Sequence, residues 1–301
     1  MVLLWQEGMT PYTNKAFLPC GNAFCRANTY SRKESWLSCL QKKRNLLVCL
    51  LLVALVASGS ILATDYFDDR ICLPPIGNET PKVPPITALC YHEVTPARPK
   101  DIYNVPPDQF RSHIRQFREQ GCHFIDLQDI EEYVKYHKPL PEKPVLIAFD
   151  DGYKDNYTYA FPILKEERAK ASFFVVSHSI GAKNRMTVSD LKEMAAAGFK
   201  IGSHTVNHET LTGMSDKQLD YEFKTSRDEL QKLLGIRIYC IAYPCGFAND
   251  RVMKEAKKYY DFAFISSVVP NRPQTLFNIN RYGVFNWNTR VASIFRQTVF
   301  K

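Results

Sequence analysis

Two adjacent carboxylates, Asp150 and Asp151, directly follow the apolar run Val145–Phe149 and precede Gly152. Side by side at the end of a buried strand they repel each other, and burying both is expensive unless a cation or a base compensates them. The bland alternative is a solvated turn, because Asp-Gly is a common turn dipeptide. Further along, Gly202-Ser203-His204 leads to His208, again just after a strand-like segment. Two histidines four apart, on one turn of helix, can aim both imidazoles at one ion, although alone this spacing is an ordinary surface occurrence. Together the two pairs are more specific. His204, His208 and one aspartate supply three ligands of a zinc-type site and leave a position open for water or substrate. The other carboxylate is then free to act as general base. Chain order makes Asp151 the ligand and Asp150 the base.

Such a hydrolytic centre also needs an acid for the leaving group and donors for a developing oxyanion. Of the remaining histidines (His92, His113, His123, His137, His178), His92 is best placed, because it ends the first strand-like run in Cys90-Tyr91-His92-Glu93. A hydrogen-bonded structural histidine is the alternative there. Backbone N–H groups around Pro244-Cys245-Gly246, at another strand end, are oxyanion candidates. Tyr243 and Cys245 stand as the oxyanion or substrate contacts.

The elements that must position these groups alternate along the chain. Strand-like runs at Ile86–Tyr91, Val145–Phe149, Ser172–Val176, Phe199–Gly202, Ile238–Tyr243 and Phe262–Ile265 are separated by helical stretches such as Pro107–Gln120, Thr187–Ala197, Asp216–Leu234 and Asp250–Tyr260. Alternating strands and helices mean a parallel sheet in an α/β fold. Six or seven such units closing on themselves make an irregular (β/α) barrel, and an open doubly wound sheet is the alternative. In both, ligands sit at the carboxyl ends of the strands. No glycine-rich phosphate-binding pattern follows any strand, so nucleotide binding has no support.

The chain has 301 residues and a formal charge of +8. Residues 1–44 carry Lys15, Arg26, Arg32, Lys33, Lys42, Lys43 and Arg44 against Glu7 and Glu34, so much of that excess belongs to the tail. The remainder is nearly balanced and shows no basic run, so no nucleic-acid partner is expected. Residues 45–64 include the uncharged run Leu46–Thr64 between Lys42-Lys43-Arg44 and Asp65. That reads as one transmembrane signal anchor preceding the domain, with the basic side cytoplasmic and the domain outside the cytoplasm. A cleaved signal peptide is the rival, leaving a secreted protein. Residues 1–44 are then a cytoplasmic tail, or reflect a start codon placed too far upstream, and the proline-rich 65–85 a linker. Of the nine cysteines, Cys72, Cys90, Cys122, Cys240 and Cys245 follow the anchor, an odd number that indicates no disulfide framework.

From Ile86 to the C-terminus these residues resemble the polysaccharide deacetylases, carbohydrate esterase family four. Asp150-Asp151-Gly152 resembles the family's first motif, and Ser203-His204 with His208 its second. The resemblance implies an irregular (β/α) barrel over 86–301, with Asp150 as base and Asp151, His204 and His208 on a divalent metal, zinc first. The family's third motif, usually Arg-x-Pro-aromatic-Gly, is altered, with Ala242 at the arginine place and Cys245 at the aromatic place. Arg281 is the candidate for orienting the base instead. No histidine follows His208, so the family's C-terminal acid is absent. The exported poly-N-acetylglucosamine deacetylases resemble this arrangement, with the acid strand circularly permuted to the front, which gives His92 the acid role.

The implied reaction is removal of acetyl groups from N-acetylhexosamines of a polysaccharide such as poly-N-acetylglucosamine, peptidoglycan or a chitin-like glycan. An O-acetyl esterase and an inactive glycan-binding scaffold are the alternatives. Tyr153, Tyr157 and Trp287 are candidates for a sugar groove or for the core. The oligomeric state is left open.

Overall fold

The computed structural model describes residues 83–97, 101–266 and 273–297. All belong to one compact unit, Ile76–Lys301. The tail 1–44, the anchor expected over 45–64 and most of the linker 65–85 lie outside the described residues. Among the described residues no helix is long and apolar enough to cross a membrane.

Strands β1 (Thr87–Tyr91), β2 (His123–Ile125), β3 (Pro144–Phe149), β4 (Ser172–Val175), β5 (Lys200–Ser203), β6 (Cys240–Ala242), β7 (Phe262–Ser266) and β8 (Ile279–Gly283) form one sheet in the order β1-β8-β7-β6-β5-β4-β3-β2. The pairing that separates a barrel from an open sheet is present. β1 runs parallel to β8 on one side and to β3 on the other, with Thr87 opposite Val145 and Tyr91 opposite Phe149. Seven parallel strands therefore close, and the short β2 pairs with the start of β3 beside the ring. β2 and β8 are strands that the apolar runs of the sequence did not announce.

Around the barrel run α1 (Pro107–Glu119), α2 (Leu127–Tyr136), α3 (Phe161–Glu166), α4 (Val188–Ala196), α5 (Asp216–Leu234), α6 (Asp250–Ala256) and α7 (Val291–Gln297). Their starts are encoded locally. Asp126, Thr187 and Ser215 each cap a helix while the residue three positions on caps back, satisfying amide groups that the helix cannot. Gly235 ends α5 in the left-handed conformation with φ 71°.

Period-two alternation decides what faces the barrel axis. Ala88, Leu146, Ala148, Phe174, Cys240, Ala242, Phe262, Phe264 and Ile279 pack inside. Leu89, Tyr91, Val145, Ile147, Phe149, Phe173 and Tyr243 face the helices. Small interior residues make room for the phenylalanines. A Cβ on Gly202 would lie 2.5 Å from the Phe174 ring, so that position takes glycine. Following the same alternation to the strand ends brings Asp150 and Arg281 into the barrel mouth.

The outer layer is aromatic, with Phe149 fully buried and stacked on Phe173 at 4.9 Å between centroids. Phe149→Ala is expected to lower the unfolding free energy by about 3–5 kcal/mol. Chemical denaturation checks this, and a loss below about 1 kcal/mol would show that the layer repacks around the gap.

Candidate active site

β3 delivers Asp150 and then turns abruptly, because Asp151 and Gly152 both adopt left-handed backbone, with φ of 70° and 69°. The turn swings the second carboxylate off the strand line and toward the histidines. Left-handed geometry is costly for residues other than glycine and persists only where surroundings enforce it. It recurs around this cleft at Thr205 (φ 67°), His208 (φ 59°) and Cys245 (φ 57°).

The histidines do not share a turn of helix as their spacing had indicated. β5 ends at Ser203, and 204–210 is an irregular loop. Sequence periodicity could not show this, because the loop's shape comes from a distant side chain. Glu222 of α5, 3% exposed, accepts the amides of Val206 and Asn207 at 2.8 and 3.1 Å and the Asn207 side-chain amide at 2.6 Å. A buried carboxylate thus replaces the hydrogen bonds a helix would have supplied.

The loop brings both imidazoles to one oxygen. Asp151 Oδ1 lies 3.4 Å from His204 Nε2 and 3.1 Å from His208 Nε2. It is buried, and no properly angled hydrogen bond reaches it. His204 Nδ1 donates to the Ala242 carbonyl at 2.8 Å, which leaves Nε2 as the nitrogen that can face an ion. Burial lowers the His204 pKa, but Asp150 and Asp151 outweigh it and raise the imidazole, so cation binding would displace the Nε2 proton. Burial also raises Asp151, and His204 and His208 outweigh it, holding the carboxyl far below its usual range. Two neutralisable nitrogens and an ionised oxygen suit a divalent cation.

A second cluster, Cys90, His92 and Asp150, also has its donor atoms within 4.8 Å of one another. It suits an ion poorly. Arg281 occupies both Asp150 oxygens, with Nη1–Oδ1 at 2.6 Å and Nη2–Oδ2 at 2.7 Å. The Cys90 thiol donates to Oδ2 at 3.3 Å, and burial, against the pull of Arg281, holds it well above the usual thiol range. Arg281 is itself fully buried, flanked by the rings of Phe174 and Phe264 at 5.1 and 5.8 Å. It enters the barrel interior that it shares with Ala242.

Burial raises the Asp150 carboxyl, and Arg281 foremost, then His204 and His92, override it, bringing it to about 2. His92 reaches the same cleft. Its Nδ1 is buried without a hydrogen-bond partner among the described residues. Burial lowers its pKa against the upward pull of Asp150 and Asp151.

The cleft has a volume of about 630 Å³ and is lined by His92, Asp150, Asp151, His204, His208 and Cys245, with Glu93, Asp101, Tyr103, Tyr153 and Phe285 among their neighbours. Cys245 is exposed in a tight turn closed by Gly246, whose Cβ, if present, would sit 2.5 Å from the Ser266 carbonyl. Pro244 has no N–H and that of Gly246 is given to the Tyr243 carbonyl, so Cys245 is the one member of the turn whose N–H remains a candidate. Tyr243 is a correction. Its N–H is given to the Phe264 carbonyl, and its side chain is fully buried toward α5, since the residue after interior-facing Ala242 must face outward. Tyr157 lies elsewhere, donating its hydroxyl to Glu193 on the helical surface. Glu93, Glu222 and Tyr103 were not singled out from sequence. Glu222 reads there as an ordinary helix glutamate.

A polysaccharide deacetylase family model matches residues 137–260. The match excludes both β1 with His92 and β8 with Arg281. YxkH of Bacillus subtilis (strain 168), whose name places it among the polysaccharide deacetylases, is 33% identical over 180 residues, covering 60% of this chain and 63% of its own length. Poly-beta-1,6-N-acetyl-D-glucosamine N-deacetylase of Staphylococcus aureus is 29% identical over 215 residues, 61% of this chain and 74% of that protein. Among solved structures, the Streptococcus pyogenes deacetylase PplD in complex with acetate has a TM-score of 0.63 at 27% identity, covering 70% of this chain and 97% of that one. IcaB from Ammonifex degensii has a TM-score of 0.62 at 25% identity, covering 73% and 100%.

The ion pair yields a pH signature. A carboxyl lowered from 3.8 to about 2 contributes stability that is present above 3.8 and lost as pH falls through 2, about 2 kcal/mol in all. Arg281→Met leaves Asp150 as an unpaired buried charge, and is expected to lower stability at neutral pH by about 3–5 kcal/mol. Denaturation at pH 7 and pH 3 should show that deficit shrinking in acid, where the orphaned carboxyl becomes protonated. An equal deficit at both values would contradict the pairing.

Proposed function

We propose that this chain, whose residues 137–260 match the polysaccharide deacetylase family model, removes N-acetyl groups from N-acetylhexosamine units of an extracellular or cell-wall polysaccharide with the help of a divalent cation, zinc first. The observation that carries this reading is the opposition, in one cleft, of a carboxylate paired with arginine, Asp150, and a constellation of two imidazoles and one carboxylate. A pure binding module has no use for a base beside a cation site. The relatives named for deacetylation of poly-N-acetylglucosamine support the amide as the bond broken. We also place the domain outside the cytoplasm, tethered through residues 45–64.

Asp151, His204 and His208 would hold the cation. A cation there supplies Lewis acidity, polarising the acyl oxygen and acidifying water. Asp150 accepts a proton from the attacking water as its oxygen bonds to the acetyl carbon. Arg281 keeps that carboxylate ionised and fixed in direction. A carboxyl near 2 gives its proton up readily, and His92, whose ligand atom lies within 4.8 Å of Asp150, is the group in the cleft that would take it on. His92 then protonates the nitrogen as the C–N bond breaks, and the products are acetate and the free amine. The backbone N–H of Cys245, a residue that lines the same cleft, would be the donor for the oxyanion.

Acetate release from N-acetylglucosamine oligomers is the test. Chelation should abolish release and a divalent cation restore it, and Asp150→Asn should lower kcat by about 10²–10⁴-fold. Release that survives chelation, or no release from any acetylated glycan, would overturn the proposal.

A further inference from the structure

The two buried-side imidazoles of the cleft are held in different ways. The His204 ring is oriented by a hydrogen bond from Nδ1 to the Ala242 carbonyl. The His92 ring is not oriented that way: its Nδ1 is buried without a hydrogen-bond partner among the described residues, and its ring lies against that of Tyr103, 5.0 Å between centroids. Its position therefore comes chiefly from its rotamer and from the backbone that carries it. That backbone is where the hydrogen bonds are. The Tyr91 carbonyl accepts the Asp150 N–H at 3.0 Å, the His92 carbonyl accepts a side-chain N–H of Asn156 at 2.7 Å, and the Val94 N–H donates to Asp155 Oδ1 at 3.2 Å. All three partners belong to residues 150–156, so the stretch that supplies the base and one ligand also grips the strand end that carries His92.

Asn156 is fully buried. Its amide nitrogen donates to the His92 carbonyl and, at 2.9 Å, to Asp155 Oδ1, while its own Oδ1 is buried without a hydrogen-bond partner among the described residues. A buried acceptor left unmade is costly, and an apolar residue of similar size would avoid that cost. What asparagine contributes here is its donor. The backbone is unusual at the same point. Asn156–Ala160 is a single π turn, in which the Phe161 N–H reaches back to the Asn156 carbonyl before α3 begins. Such turns are rare and frequently mark functional sites.

We propose that Asn156, backed by Asp155, is a positioning residue for His92, holding its carbonyl so that the imidazole stands opposite Asp150 when the leaving nitrogen takes its proton. This rests on the acid role given to His92 above and deepens it, because it says what keeps acid and base at a fixed separation. Asn156 touches neither the reacting atoms nor the cation ligands; it acts through the backbone of His92. On the far side the same backbone is held by the Glu93 N–H to the Tyr103 carbonyl at 3.3 Å and the Val105 N–H to the Glu93 carbonyl at 3.0 Å. Those two bonds fix the strand end to its neighbouring loop, and only the bonds from Asp150, Asp155 and Asn156 fix it to the base. A displacement of about 1 Å between groups that must act together costs on the order of 10²-fold in rate.

The test is a double-substitution cycle on the full-length, zinc-loaded protein, read as kcat and KM for acetate release from N-acetylglucosamine oligomers and as zinc affinity by competition with a chromophoric chelator. Asn156→Ala should lower kcat on the order of 10²-fold with KM and zinc affinity unchanged. In a His92→Ala background the same substitution should change kcat by less than about twofold, because residues that act as a unit do not add. Asp155→Ala, at a partly exposed position, should show the same pattern with a loss of about tenfold, and it carries the cycle if thermal melts show that Asn156→Ala does not fold. Losses that multiply in both backgrounds overturn the proposal, since a merely structural role behaves that way. So do a weakened zinc affinity, full activity in His92→Ala, or an Asn156→Ala variant within about threefold of wild type. If the wild-type protein releases no acetate from any acetylated glycan, the deacetylase reading fails, and crystal structures decide the positioning alone. His92 displaced from Asp150 in the Asn156→Ala or Asp155→Ala structure then upholds it, and His92 unmoved overturns it.

Discussion

Inside the barrel mouth a fully buried guanidinium meets a nearly buried carboxylate in a two-pronged pair, Arg281 with Asp150. Either charge buried there alone would be strongly destabilising, since no partner would offset its desolvation. Each therefore requires the other, and the requirement reaches into the fold. Asp150 directly follows β3 and Arg281 lies on β8, two strands that never pair directly. They are neighbours in space because β1 lies between them and pairs with both. Closure of the ring, the position of the base and the entry of His92 from β1 are thus one geometric fact.

The second constraint is the strained loop that carries His204 and His208. Left-handed residues at Thr205 and His208 are tolerated because Glu222 satisfies the amides between them. That arrangement sets where the two imidazoles stand, and the Ala242 carbonyl takes Nδ1 of His204, leaving Nε2 toward Asp151. Rigid placement of ligands before an ion arrives is what gives a site affinity and selectivity.

Much of this was legible in the residues. β3, β4 and β7 are apolar runs, and the Asp-Asp and His-His pairs follow β3 and β5, so the type of element and the place of these four side chains in the fold could be read. What escaped did so for physical reasons. β8 reads Ile-Asn-Arg-Tyr-Gly, polar because its interior position carries a charge paired across the ring, so no hydrophobic pattern marks it. Arg281 could be named as the candidate for orienting Asp150, but not the two-pronged geometry of the pair. The histidine loop has helical spacing without helical structure, because its hydrogen bonds come from α5. Tyr243 was misplaced although the alternation was available, since Ala242 facing inward turns Tyr243 outward. The anchor expected over 45–64 lies outside the described residues.

The central claim is that a divalent ion sits on Asp151, His204 and His208, leaving Asp150 to Arg281. X-ray absorption of the zinc-loaded protein addresses it directly. Nitrogen and oxygen neighbours at about 2.0–2.1 Å, with two imidazoles and no sulfur, are predicted. A sulfur shell near 2.3 Å would contradict it, by moving the ion to Cys90 and His92 and taking Asp150 from its arginine.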